Sequence, residues 1–223
     1  MYTIHQTTYN ITTTKEINPT KICFISDVHY PNANNSQRLK EITNTLIKVK
    51  PDFYLLGGDF VDESTSKEDM EILFKQLKRL TKVAPVYSVY GNHENKIKFS
   101  KNKLNQEITK NNITILNDQE VHLNNIILIG RKDYTNKSRK KTKDYHLTNK
   151  TYNIVLDHQP QGTKKTLKTM STINSADIPI TDKCFHYLSL TTYNPTLRAI
   201  TEKKHSNTAQ KSLAQALLVG VFQ

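Results

Sequence analysis

Four short stretches hold residue types that can do metal and acid–base chemistry together. They are Ile25-Ser26-Asp27-Val28-His29, Gly57-Gly58-Asp59-Phe60-Val61-Asp62, Gly91-Asn92-His93-Glu94 and Asp157-His158-Gln159-Pro160. Each follows a run of apolar residues, so each sits where a strand gives way to a turn. Carboxylate, imidazole and amide oxygen in one set suit borderline divalent ions such as Mn²⁺, Fe²⁺ or Zn²⁺ better than Ca²⁺ or a thiolate site. Asp27 and His29, two apart on an extended segment, are expected to point the same way and chelate one ion. Asp59 has two oxygens and can bridge that ion to a second, with Asn92 and His158 supplying part of the second sphere. Two ions roughly 3.5–4 Å apart clamp the attacking and leaving oxygens of a phosphoryl displacement.

The elements that must position these residues are legible in the apolar pattern. Lys21 to Ser26, Phe53 to Leu56 and Val86 to Tyr90 read as buried strands, and residues 2 to 14 as an exposed strand or hairpin. Between them, Leu39, Ile42, Leu46 and Val49 share one helical face over Ser36 to Val49, which Pro51 terminates. Ser66 is placed to cap a second helix, with Glu68 and Asp69 in its first turn, continuing through Ile72, Leu73, Leu77 and Leu80 to about Lys82. A further helix is expected near Lys103 to Lys110, followed by strands over Ile113 to Leu116, Ile126 to Gly130 and Tyr152 to Leu156. Strand–helix alternation predicts an α/β fold with a parallel sheet, whose ligands sit beyond the carboxyl ends of the strands. All four candidate stretches fall on that rim.

Composition narrows the class. A chain of 223 residues can bury one sizeable α/β core. Cys23 and Cys184 lack metal or redox spacing, which suggests a reducing compartment and a cytoplasmic or peripheral-membrane location. The longest apolar stretch, Leu213 to Phe222, is too short for a membrane span, and the start does not resemble a secretory signal. The net charge of +12 concentrates between Arg131 and Lys150, where eight basic residues face Asp133 and Asp144. Such a run attracts phosphate, nucleic acid or an anionic membrane, yet no aromatic-interleaved pattern accompanies it, and a solvated loop is the simpler expectation. His5, His122 and His146 lie outside any motif and are expected at the surface. Asp157 is expected to be a hydrogen-bonding residue at a strand end.

In order and spacing, Asp27-Val28-His29, Gly58-Asp59-Phe60-Val61-Asp62, Gly91-Asn92-His93-Glu94 and His158 resemble the calcineurin-like metallophosphoesterases. Ile129-Gly130-Arg131-Lys132-Asp133 and Leu156-Asp157-His158-Gln159-Pro160 look like the membrane-associated bacterial branch. The resemblance covers about Lys21 to Pro160. It implies a β-sandwich flanked by helices (αββα), incomplete at its C-terminal part, and a metallophosphoesterase hydrolysing a phosphomonoester, phosphodiester or pyrophosphate bond with two divalent ions. Carried over, Asp27 and His29 bind the first metal, Asp59 bridges, and Asn92 and His158 bind the second. His93 is not a ligand but protonates the leaving oxygen, oriented by Asp62. The resemblance also implies a phosphate-ester substrate, lipid-linked or nucleotide-sugar, and peripheral membrane association. Nucleic acid is the less expected partner. It would suit the alternative of a basic, non-catalytic protein that grips phosphate-rich molecules.

The chain departs from the family after Pro160. The family's Gly-His-x-His motif is missing, His186 and His205 stand alone, and each metal keeps about three protein ligands, so metal affinity and activity should fall. Read one base out of frame, codons permitted by Ile173 to Tyr187 can spell Q-F-S-G-H-T-H-N-G-Q, which holds the missing motif. Residues 1–160 are therefore expected to form the phosphoesterase domain. Residues 161–223 are expected to be an out-of-frame, poorly ordered tail, in which Ala209 to Leu218 alone reads as a short helix. The branch often carries a membrane anchor before its first strand, and the start at Met1 suggests that one is missing here.

Overall fold

The computed structural model describes residues 4–13, 15–159, 161, 179–181 and 212–220. In chain order its strands and helices are β1 (His5–Thr13), β2 (Thr20–Ile25), α1 (Ser36–Val49), β3 (Phe53–Leu56), α2 (Lys67–Leu77), β4 (Val86–Ser88), α3 (Lys101–Lys110), β5 (Thr114–Ile115), β6 (Gln119–Leu123), β7 (Ile126–Gly130), β8 (Tyr152–Asp157), β9 (Pro179–Thr181) and β10 (Ser212–Gly220). They build two sheets. The first has the order β1-β10-β2-β3-β4-β5 and is parallel from β10 to β5, with β1 antiparallel at its edge. The second has the order β6-β7-β8-β9, with only the β6–β7 pair antiparallel.

Side-chain alternation along the strands divides the interior into layers. On one face of the first sheet, Cys23, Ile25, Tyr54, Leu56 and Val86 pack against Leu39, Ile42 and Leu46 of α1, Leu73 and Leu77 of α2, and Leu104 and Ile108 of α3. On its other face Ile22, Phe24, Phe53, Leu55 and Tyr87 meet Ile126, Leu128, Tyr152, Ile154 and Leu156 of the second sheet. Each fully buried leucine in these layers contributes about 1.5–3 kcal/mol. The outer face of the second sheet carries Ile127, Ile129 and Val155, covered by Tyr145 and Leu147 from the segment after β7. The fold is thus mixed α/β, a parallel sheet flanked by helices and backed by a second sheet. Among the described residues the helical layer lies on the first sheet alone.

Local chemistry sets the helix ends. Asn35 caps α1 by accepting from Arg38 N at 2.9 Å, and Lys50 takes a left-handed φ of 47° just before Pro51. Ser66 caps α2 in a reciprocal box, accepting from Asp69 N at 3.0 Å while Asp69 accepts from Ser66 N at 3.2 Å. The helix stops at Leu77, and Leu80–Lys82 forms a separate 3₁₀ turn.

Three elements differ from the sequence reading, and one is β9, a strand within the stretch expected to be a poorly ordered tail. β6 was not foreseen, because its pattern is polar and only partly buried. Ala209 to Leu218, expected as a helix, overlaps β10, which pairs with both β1 and β2. A short apolar run without flanking punctuation suits either state, and here the slot between two strands decides it. Most of the rest of 161–223, with Cys184, His186 and His205, lies outside the described residues. No helix among the described residues is long and apolar enough to cross a membrane.

Candidate metal centre

The turns after β2, β3 and β4 and the end of β8 converge on one rim. Asp27 and His29 sit not on an extended segment, as expected, but in a turn with φ of 56° and 44°. The reason lies in the neighbouring strand: Asp27 N donates to Gly58 O (3.0 Å), His29 N to Asp59 O (3.1 Å) and Tyr30 N to Phe60 O (3.0 Å). The turn still brings both ligand groups together, with His29 Nε2 at 3.6 Å from Asp27 Oδ1. Asp59 also has a left-handed φ, 54°, behind Gly58 at 97°. A side chain at Gly58 would meet Gly91 N at 2.4 Å, so the β3 and β4 turns touch backbone to backbone.

Asp59 is the buried floor of the site, 3% exposed. Its Oδ1 accepts from His93 N at 2.8 Å. Its Oδ2 lies 3.1 Å from His158 Nε2 and 3.9 Å from His29 Nε2. His158 is equally buried and is held through Nδ1, 2.8 Å from Gly57 O, which leaves Nε2 facing Asp59 and Asn92 Oδ1 at 3.3 Å. Burial disfavours the His158 imidazolium, but the hydrogen bond and charge of Asp59 outweigh it and push the pKa up to about 9. His29 is likewise raised, first by its hydrogen bond to Asp27, against partial burial and with help from Asp59.

The carboxylate at hydrogen-bond distance from the His93 ring is Glu63, where Asp62 was expected. His93 Nδ1 lies 2.9 Å from Glu63 Oε2, and its ring stands edge-on to His29 with centroids 4.7 Å apart. Asp62 instead faces His29 Nδ1 at 3.6 Å and accepts from Ser64 N at 2.8 Å and from the Ser64 hydroxyl. Burial pushes the Asp62 carboxyl up, but the Ser64 hydrogen bonds and the two histidines outweigh it and leave it lowered. The adjacent position was hidden because the motif spacing alone cannot tell which of two consecutive acids a turn will aim inward.

Two groups of donors fit an ion: His29, Asp59 and His93, and Asp27, Asp59 and His158, the ligand atoms of each within 4.8 Å of one another. Asp59 belongs to both. Among the described residues Asp59 pairs with histidines alone, so the centre gathers acceptor oxygens and imidazole nitrogens with no lysine or arginine against that carboxylate. A set of hard oxygens with imidazoles, one of them fixed through its far nitrogen, can hold a divalent metal ion. Asn92 joins this set through its oxygen, which accepts from Gln159 Nε2 at 3.0 Å.

Glu94 was passed over in the sequence, although a carboxylate three residues after Gly91 stands where a side chain can reach back to cap a turn. It is 4% exposed and accepts from Gly91 N (2.6 Å), Asp59 N (2.9 Å), Phe60 N (2.8 Å) and Val61 N (3.4 Å). Asp157, next to His158 but facing the other side of β8, accepts from Arg131 Nη1 at 3.2 Å and from Arg139. Those two arginines are buried, whereas Lys137, Lys140, Lys141 and Lys143 of the same run are exposed. His122 and His146 are exposed and lean on Glu120, at 3.7 and 2.5 Å.

The family model for calcineurin-like phosphoesterase matches residues 20–197. Over 106 residues the chain is 34% identical to phosphodiesterase YaeI of Escherichia coli, covering 45% of this chain and 37% of that protein. It is 27% identical to the uncharacterized metallophosphoesterase YkoQ of Bacillus subtilis, over 62% of this chain and 53% of the other. An uncharacterized metallophosphoesterase of Helicobacter pylori is 29% identical over 71% of this chain and 42% of its own length. The matched segments therefore span about half or less of these relatives. The chain belongs to the calcineurin-like phosphoesterase family, whose members are hydrolases that bind divalent metals.

Proposed function

From that membership, we propose that the chain carries most of the centre of a two-ion phosphoesterase acting on a phosphomonoester, phosphodiester or pyrophosphate bond. The observation that supports it best is Asp59, which stands in both donor groups with one oxygen fixed by the His93 amide and the other turned to His29 and His158. Asp27 and His29 would hold one ion, Asn92 and His158 the other, and Asp59 both. Two ions of the Mn²⁺, Fe²⁺ or Zn²⁺ kind, when bound, supply an activated water and neutralise charge on the phosphoryl oxygens.

His93 falls in one donor group with His29 and Asp59, but the motif resemblance gives it an acid's role and not a ligand's. With Nδ1 on Glu63, its Nε2 is left to hold a proton for the leaving oxygen. Glu63 then takes the orienting role that the resemblance gave to Asp62, and Asp62 steadies His29. A lipid-linked or nucleotide-sugar substrate, and peripheral attachment to a membrane, belong to this proposal on the strength of the motif resemblance.

Without the Gly-His-x-His motif each ion keeps about three protein ligands, so the chain as translated is impaired. We attribute the loss to a frameshift soon after Pro160. The coding DNA tests this: a neighbouring frame with an early stop, or without the two histidine codons, ends it.

Turnover of an aryl phosphodiester with Mn²⁺ tests the centre. Asp59→Ala should abolish it, and His93→Ala should lower it about 10²–10⁴-fold. Turnover that survives both changes refutes the assignment. The exposed lysines 137, 140, 141 and 143 favour a second reading, a binding protein for phosphate-rich partners. Salt-dependent nucleic-acid affinity that Asp59→Ala leaves intact would select it.

A further inference from the structure

We propose that Glu94 is a positioning residue that fixes Asp59 and Asn92 in their ligand geometry before any metal arrives; the inference rests on the metal centre proposed above. The last backbone bond between β3 and β4 is Val89 N to Leu56 O at 3.0 Å. Beyond it the two chains separate into turns, and the amides of Asp59, Phe60, Val61 and Gly91 would lose their sheet partners inside the protein. One carboxylate replaces the missing strand. Glu94 Oε2 accepts from Asp59 N and Gly91 N, and Oε1 from Phe60 N and Val61 N.

The carbonyls of the same peptides are already taken from the other side. Asp59 O and Phe60 O accept from His29 N and Tyr30 N, and Gly58 O accepts from Asp27 N. The Asp59 turn is therefore a central strip, joined to the Asp27–His29 turn by its oxygens and to the Gly91–Glu94 turn by its amides. His93 N on Asp59 Oδ1 then sets the carboxylate itself. Glycine at 58 and 91 lets the strips close: a Cβ at Gly91 would fall 2.1 Å from Asp59 Oδ1. Thus Asp27, His29, Asp59, Asn92 and His93 ride on three turns fastened by main chain and one buried acid.

A carboxylate offers two acceptor oxygens, and a glutamine of the same shape offers one, turning an NH₂ toward amides that are themselves donors. In Glu94→Gln we expect Mn²⁺ affinity, measured by calorimetry on the full chain, to fall about 10–100-fold. Amide hydrogen exchange should quicken at Asp59, Phe60, Val61 and Gly91 while β2, β3 and β4 keep wild-type protection. Mn²⁺ affinity unchanged, or lost only in step with protection across those strands, overturns the proposal, because a merely structural acid would give the second result.

The chelator-treated wild-type protein provides a test that does not depend on the variant folding. Its amides at Asp59, Phe60 and Gly91 should already be protected to the level of β3 and β4. Protection that appears only when Mn²⁺ is added overturns preorganisation. If the wild-type chain binds no Mn²⁺ at all, the metal reading falls while the exchange result still decides whether Glu94 fastens the turns.

Discussion

The two sheets end at one rim, but they hold their turns there by opposite means. At the first sheet, acids face inward: Glu94 and Asp59 accept backbone amides of nearby turns, and the Asp59 carboxylate faces the ring nitrogens of His29 and His158. At the second sheet, acids grip a basic segment. Asp157 takes Arg131 and Arg139, while Asp118 accepts from Lys132 N (3.1 Å), Lys140 N (2.9 Å) and the Tyr145 hydroxyl (2.9 Å). The first arrangement leaves carboxylate and imidazole lone pairs pointing at a common space, which is what an ion needs. The second neutralises its acids inside the protein and leaves lysines outside. Chemistry and scaffold are thus divided between the two sheets along one edge of the sandwich.

The sharpest way to break this contrast is Asp157→Ala. It removes the carboxylate that two buried guanidiniums share, and removing one partner of a buried ion pair costs about 3–5 kcal/mol. Urea unfolding should show a loss of that size. A loss no larger than that of a surface substitution would mean that Arg131 and Arg139 turn out to solvent and that the second rim is not held by charge.

Gly91→Ala probes the first sheet's side by a different cause. The added methyl would fall 2.1 Å from Asp59 Oδ1 and 2.7 Å from Asp59 N, so the two turns must part. Overpacking of this kind costs about 1–3 kcal/mol. Because the strain falls on Asp59, Mn²⁺ affinity should drop as well, whereas Asp157→Ala should act first on stability. Equal effects of the two substitutions on affinity would erase the distinction between the two rims.

The first rim was largely legible in the sequence because its information is local. A strand of four apolar residues, two glycines and an acid place Asp59 with little help from elsewhere, and α1 and β3 fall on the expected residues. The left-handed turn at Asp27 and His29 was not legible, since it is imposed by the backbone of Gly58 to Phe60, some thirty positions away. The choice of Glu63 over Asp62 for His93 turns on the way a turn is aimed, and spacing is blind to that. The second rim was nearly opaque. Asp157 was expected as a hydrogen-bonding residue at a strand end, and it accepts hydrogen bonds there, but nothing in Arg131 or Arg139 announces that they are its partners. Contacts between residues eighteen or twenty-six positions apart depend on how the sheet closes, and no local pattern encodes them.

Asp118 gives the smallest and most specific test, because its effect is confined to acid pH. Burial alone would raise its pKa, but the amides of Lys132 and Lys140, the Tyr145 hydroxyl and the Lys132 charge outweigh burial and leave it lowered. A carboxyl whose folded pKa lies below its unfolded value of about 3.9 binds more protons when unfolded. Its contribution to stability is therefore fully present above the unfolded value and is lost as pH falls through the folded one. In Asp118→Asn, stability followed by urea unfolding should depend less steeply on pH below about 4 than in the wild-type chain, with the two slopes parallel near neutrality. Parallel slopes throughout would show that the loop amides do not hold a charged carboxylate. The second rim would then rest on Asp157 alone, and the symmetry of two acids gripping one basic segment would be lost.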